Sequence, residues 1–107
     1  MTKTIGFIGL GDVGSRFSSG VAIASKAQGR TVKGIDLKIG DPWFSDKEKR
    51  CLDADVKLFT DPASFVEGCD IIIAATSCTQ AVETLNMYKP YLKPGMTYVD
   101  INSAVPE

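Results

Sequence analysis

The residues whose types and spacing suit chemistry begin almost at once, in the stretch IGFIGLGDVGSRF from Ile5 to Phe17. Gly9, Gly11 and Gly14 stand there in G-x-G-x-x-G spacing. Such a loop makes and breaks no bonds. It offers backbone N–H groups and the positive end of a helix to a phosphate. Gly9 closes a strand where the chain must turn tightly, and Gly11 lacks the Cβ that would hold a pyrophosphate away from the backbone. Gly14 lets the following helix lie close to the sheet. With ten glycines in 107 residues, chance alone gives one such match in about 8% of chains, so the spacing needs support from its context.

Asp36 supplies part of that support. It ends the strand-like run TVKGID (Thr31–Asp36), 22 residues beyond Gly14, close to the separation of about 20 expected for the acid that meets an adenosine ribose. A carboxylate there accepts hydrogen bonds from ribose hydroxyls and repels a 2′-phosphate, which favours NAD. Lys38 keeps NADP open, because a cation two residues on could receive that phosphate. Asp12 puts a negative charge near the expected phosphates. The plainer alternatives are a simple strand-to-helix turn at Gly9 and Gly11, and a solvated strand-end acid at Asp36.

The elements that must position these groups follow from patterning. Strand-length β-branched runs at Thr2–Gly9, Thr31–Asp36, Val56–Thr60, Cys69–Thr76 and Met96–Asn102 alternate with helical stretches. Val13 to Gln28 reads as a helix with Val13, Phe17, Val21 and Ala24 on its apolar face and Gly29 as its C-cap. Ser45-x-x-Glu48 reads as a capping box opening a helix to Asp53. Asp61-Pro62 reads as an N-cap and first helical position for a short helix to Glu67. Ser77-x-x-Gln80 could cap a helix from Thr79 to Tyr88. The continuous run Ile71-Ile72-Ile73 predicts burial on both faces, as in a parallel sheet. Strands separated by helices predict an α/β fold, a doubly wound parallel sheet of about five strands.

Composition narrows the function classes. The net charge is −1 and the densest basic run, Lys47-Glu48-Lys49-Arg50, is interrupted by an acid, so no polyanion or nucleic-acid partner is expected. No apolar run has the length of a membrane span. Three cysteines (Cys51, Cys69 and Cys78) without metal-ligand spacing, and no histidine, predict a reduced cytoplasmic protein without a metal site. Cys78 reads as a small buried hydrophobe. The length predicts one domain over 1–107, and Pro106-Glu107 looks like the first turn of a further helix, as in a fold cut at a boundary.

The opening string resembles that of the 6-phosphogluconate dehydrogenase and 3-hydroxyisobutyrate dehydrogenase superfamily, the β-hydroxyacid dehydrogenases. Their pattern is I-G-F-I-G-L-G-x-M-G, and Val13 replaces its Met. CDIIIAATSCTQAVE resembles that family's fourth strand and following loop, and VDINSAVPE its substrate-binding segment after strand five. Dehydrogenases of prephenate or pyrroline carboxylate share the first block. The resemblance implies that Gly9, Leu10, Gly11, Asp12 and Val13 line the pyrophosphate and that Asp36 and Leu37 flank the adenosine ribose. It implies Thr76, Ser77 and Asn102 near the nicotinamide, and Ser103 as a hydroxyl donor to a substrate carboxylate. For Ser103 a plain helix N-cap is the structural alternative.

Family members act through a lysine of a second, helical domain, which is expected to lie outside this chain. No lysine here follows a loop that would aim it at a nicotinamide, and hydride transfer requires a proton acceptor in reach. The expectation is therefore the cofactor half of an oxidoreductase acting on a small hydroxy acid, binding NAD or NADP without turnover. The alternative is a stand-alone module that senses NAD(H). Exposed sheet edges would allow two copies to pair as a homodimer.

Overall fold

The structure, a computed structural model, describes residues 4–75 and 81–101, and for Asp12, Val13 and Ala81 the backbone alone. Five strands form one parallel sheet: β1 (Thr4–Ile8), β2 (Thr31–Ile35), β3 (Lys57–Phe59), β4 (Ile71–Ala74) and β5 (Thr97–Asp100). Their order is β3-β2-β1-β4-β5. Ile5 pairs with Val32 on one side and Ile71 on the other, and Ile8 likewise with Ile35 and Ala74. The order reverses direction at β1, so the crevice between the ends of β1 and β4 is the topological switch point where ligands of such sheets bind. The doubly wound parallel architecture read from the sequence is the one found.

Among the described residues, four α-helices connect the strands: α1 (Asp12–Ser25), α2 (Ser45–Asp53), α3 (Pro62–Val66) and α4 (Ala81–Tyr88). Alternation along the strands divides the core between two faces. Ile5, Phe7 and Val32 pack with Leu10, Ala22, Phe44, Cys51 and Val56 on the side of α1 and α2. Ile8, Ile35, Ile72 and Ala74 pack with Phe65, Val66, Cys69 and Tyr88 on the side of α3 and α4. Ile72 is fully buried, whereas Ile71 and Ile73 are half-buried, so the both-face burial expected of that run holds only in part. Burial pushes the Cys51 and Cys69 thiols above their ordinary pKa, and both are unpaired, buried side chains. Cys78 lies outside the described residues.

Three local readings need correction. The apolar face expected on α1 is not the buried one: Phe17 is 41% exposed, Ala24 is exposed and Val21 is half-buried. The face turned inward carries Ser15, Ser18, Ser19, Ala22 and Ser25. Small side chains let α2 come close, and Arg50 of α2 bonds two of the hydroxyls, those of Ser15 and Ser19, while Ser18 Oγ donates to the Ser15 carbonyl within α1 at 3.2 Å. Arg50 Nη1 donates to Ser15 Oγ at 2.7 Å and Ser19 Oγ donates to the Arg50 carbonyl at 3.3 Å. Phe17 instead leans on Phe7, with ring centroids 5.3 Å apart.

The second correction concerns Ser45 and Glu48, which form no capping box. Ser45 is already helical, and the Glu48 carboxylate reaches out of the helix to accept the N–H of Gly40 at 3.0 Å. The third is the C-terminal end of the first helix, where Lys26–Gln28 tighten into a 3₁₀ turn. Gly29 then closes that turn with φ at +69°, as its cap role requires. Asp61 behaves as read, accepting the Ser64 N–H at 3.1 Å ahead of Pro62. Ser77 and Gln80, read as a cap for α4, lie outside the described residues.

Candidate functional site

The loop between β1 and α1 is built around glycines with different reasons to be glycine. Gly9 holds φ at +91°, a conformation that a side chain makes costly. Its N–H donates to the Ile35 carbonyl at 2.9 Å, and the N–H of Ala75 donates to the Ile8 carbonyl at 2.7 Å. These two bonds tie the loop to the ends of β2 and β4. A Cβ on Gly14 would collide with the Gly9 carbonyl oxygen, so α1 starts as close to the strand end as backbone allows. A Cβ on Gly11 would meet nothing within 4 Å. Gly11 is also the N-cap of α1, and its own side makes no side-chain cap there. This end of the helix therefore faces open space with its dipole directed at it.

Leu10 does something the loop pattern does not show. Its side chain is wholly buried, and a Cβ on Gly34 would lie 2.9 Å from both of its methyls. Its N–H donates to Asp36 Oδ2 at 2.7 Å, while the N–H of Lys38 donates to Asp36 Oδ1 at 2.9 Å. Asp36 thus braces the loops after β1 and β2 against each other. Each carboxylate oxygen keeps lone-pair capacity for a further donor.

A cleft of about 370 Å³ opens at these strand ends. Gly9 and Gly11 form one wall, Asp36, Leu37 and Lys38 another, and Ala75 the end of β4. Leu37 is 86% exposed, presenting an apolar face to the opening. The sequence reading brought these groups together and missed the remaining wall, which α4 supplies through Glu83, Thr84, Met87 and Tyr88. The available signal was the rule that ligands sit in the crevice at the switch point, which puts the helix after β4 beside them. The buried Tyr88 phenol is pushed up to about 12, first by burial and then by the Asp36 carboxylate and Tyr98. It stays a hydrogen-bond donor throughout the neutral range.

Thr76, Ser77, Asn102 and Ser103 lie outside the described residues, as do the side chains of Asp12 and Val13. Among the described residues there is no cluster of metal-ligating side chains, and no helix is long and apolar enough to cross a membrane. The residues present fit a dinucleotide: an open glycine at a helix N-terminus for phosphates, a carboxylate at the end of β2 for a ribose, and an apolar-walled cleft for a base.

Comparison with known proteins agrees. The chain belongs to the family described as the NAD binding domain of 6-phosphogluconate dehydrogenase, whose model matches residues 4–107. It is thus a nicotinamide-dinucleotide-binding domain of the dehydrogenase superfamily. A Methanothermus fervidus protein described as "Uncharacterized 28.5 kDa protein in 7S RNA 5'region" is 31% identical over 95% of this chain and 36% of its own length. A conserved hypothetical protein from Sinorhizobium meliloti superposes with a TM-score of 0.82 at 21% identity, over 97% of this chain and 34% of that one. The 3-hydroxyisobutyrate dehydrogenase of Mycobacterium tuberculosis gives 0.73 at 21% identity, over 96% of this chain and 32% of that one. The chain therefore spans about a third of the length of each of these proteins.

Proposed function

We propose that this chain holds the nicotinamide cofactor for an oxidoreductase that moves a hydride between that cofactor and a small hydroxy acid. The observation that carries the reading is the conjunction, in one cleft, of an open Gly11 at the start of α1 and a braced Asp36 at the end of β2. The pyrophosphate lies across Gly9, Leu10, Gly11, Asp12 and Val13, received by backbone N–H groups and the helix dipole. Gly14 brings those groups to the strand end. The Asp36 carboxylate accepts the adenosine ribose hydroxyls, which suits NAD, and Leu37 lies beside the same sugar. Thr76, Ser77 and Asn102 lie toward the nicotinamide and Ser103 toward the substrate, as the resemblance implies.

The cofactor supplies the hydride chemistry, and this chain binds and orients it. The proton acceptor for alcohol oxidation belongs to a further, helical domain, so the 107 residues alone bind without turning over. A cytoplasmic setting suits the buried free thiols. Titration calorimetry with NADH tests the reading. Because a side chain at position 11 enters open space, Gly11→Val should keep the fold and lose NADH binding. Unchanged NADH affinity in a folded Gly11→Val chain would sink the site, and hydroxy-acid turnover by the wild-type chain alone would sink the claim of binding without catalysis.

A further inference from the structure

Ser15 is wholly buried in the first turn of α1, and its N–H donates to the Gly11 carbonyl at 2.8 Å. Its side chain therefore starts one turn from the helix end that opens on the cleft. In an α-helix the Cα–Cβ bond tilts toward the N-terminus, which carries that side chain back toward Gly11. Arg50, from the last turn of α2, donates to the Ser15 hydroxyl from Nη1 at 2.7 Å. Arg50 is half-buried and does not line the cleft. Its guanidinium is held behind the glycine loop, against the first turn of α1.

A buried serine hydroxyl needs a partner, but a neutral one would serve. A cation is an odd choice here, because positive charge is unfavourable beside a helix N-terminus. Its place in the last turn of α2 suits that helix's own dipole, yet the guanidinium is committed to α1. The ion pairs among the described residues are Lys26–Asp55, Lys47–Asp46 and Lys49–Asp53, and Arg50 takes part in none of them. The charge has a use once α1 holds an anion. Asp12 opens the same turn and adds a negative charge to it, which an incoming phosphate would otherwise meet without an offset.

We propose that Arg50 supplies positive charge to the cofactor's pyrophosphate from behind α1, strengthening the hold on the phosphates without touching them. It is a positioning residue, and Ser15 keeps its guanidinium in place. The inference rests on the dinucleotide reading above and names a side chain outside the cleft on which that site depends. One helical turn and a hydrogen bond at each end put the guanidinium about 10 Å from a phosphate on the loop. At that separation a full charge changes the affinity for an anion by about five- to tenfold at low salt. Arginine keeps its charge throughout the working pH range.

The test is titration calorimetry of the whole chain with NADH, comparing wild type with Arg50→Gln and Arg50→Lys. Each is measured at ionic strengths of about 0.01 M and about 1 M, between which the screening length falls from about 30 Å to about 3 Å. Glutamine keeps an N–H for Ser15 and loses the charge. Arg50→Gln should weaken NADH about five- to tenfold at low ionic strength, and the gap to wild type should close at high ionic strength. Arg50→Lys should keep most of the wild-type affinity. A second neutral variant, Arg50→Met, gives the same reading where Arg50→Gln does not fold. A loss of equal size at both ionic strengths would show a merely structural role and overturn the proposal. So would unchanged NADH affinity in a folded neutral variant, or a loss in folded Arg50→Lys as large as in Arg50→Gln. These outcomes, with NADH still bound by wild type, overturn this inference alone. Failure of wild type to bind NADH would overturn the dinucleotide reading with it.

Discussion

A methyl group added at Gly14 would be driven into the carbonyl of Gly9, whereas one added at Gly11 would meet nothing within 4 Å. The first residue is glycine for packing and the second leaves room for a partner, though the spacing pattern treats them alike. The obstacle at Gly14 is backbone, which cannot swing aside as a flexible side chain would. Gly14→Ala should therefore destabilise the chain by about 2 kcal/mol, in the range for an overfilled site, read as a lower urea midpoint. A midpoint within experimental error of wild type would mean that α1 can start farther from β1 than its contacts suggest. Leu10 shows the same divergence within one residue, since its amide serves Asp36 while its side chain fills the space above Gly34.

At the scale of elements, α4 closes the first cleft through Tyr88, whose ring meets Phe65 edge-on at 6.0 Å. Because burial raises the phenol to about 12 in the folded chain against about 10 when exposed, folding favours its neutral form. The stability this confers is fully present below pH 10 and is lost as pH rises toward 12. Chemical denaturation across that window should show a fall in stability that Tyr88→Phe reduces; an identical fall in the variant would assign the loss to other groups. Much of this level was legible in the sequence. Strand runs, the Asp61-Pro62 start of α3 and the cap at Gly29 all rest on local chemistry that a short window contains. The inward face of α1 was not legible, because periodicity follows apolar residues and α2 packs on the serines, bonding the hydroxyls of Ser15 and Ser19 through Arg50. Ser45-x-x-Glu48 misled for a related reason: Glu48 had a better partner in Gly40, outside its own helix. The α4 wall of the cleft depends on how a helix docks, which no single stretch of sequence contains.

For the molecule as a whole, β5 pairs with β4 and stands at one edge of the sheet. Thr97, Val99 and Asp100 along it are exposed, and Val82, Leu85 and Met87 on α4 and Tyr91 just after it add apolar surface. An edge with unpaired backbone groups and such neighbours invites another strand. We expect the chain to self-associate with rising concentration in sedimentation velocity, and Val99→Lys to shift it toward monomer, since a lysine on an edge discourages pairing. A wild-type chain that stays monomeric throughout would show that this edge is protected without a partner.

The Asp36 brace has a consequence in time as well as in space. Loops that must find their shape around an incoming molecule lose freedom at the moment of binding, and that loss slows capture and weakens the hold. Here the loops after β1 and β2 are fastened to one carboxylate beforehand, through Leu10 on one side and Lys38 on the other. Much of the ordering is then charged to folding and shared with the rest of the sheet. Encounter with a dinucleotide becomes a matter of docking onto a surface already set, in a single kinetic step without a separate rearrangement of these two loops.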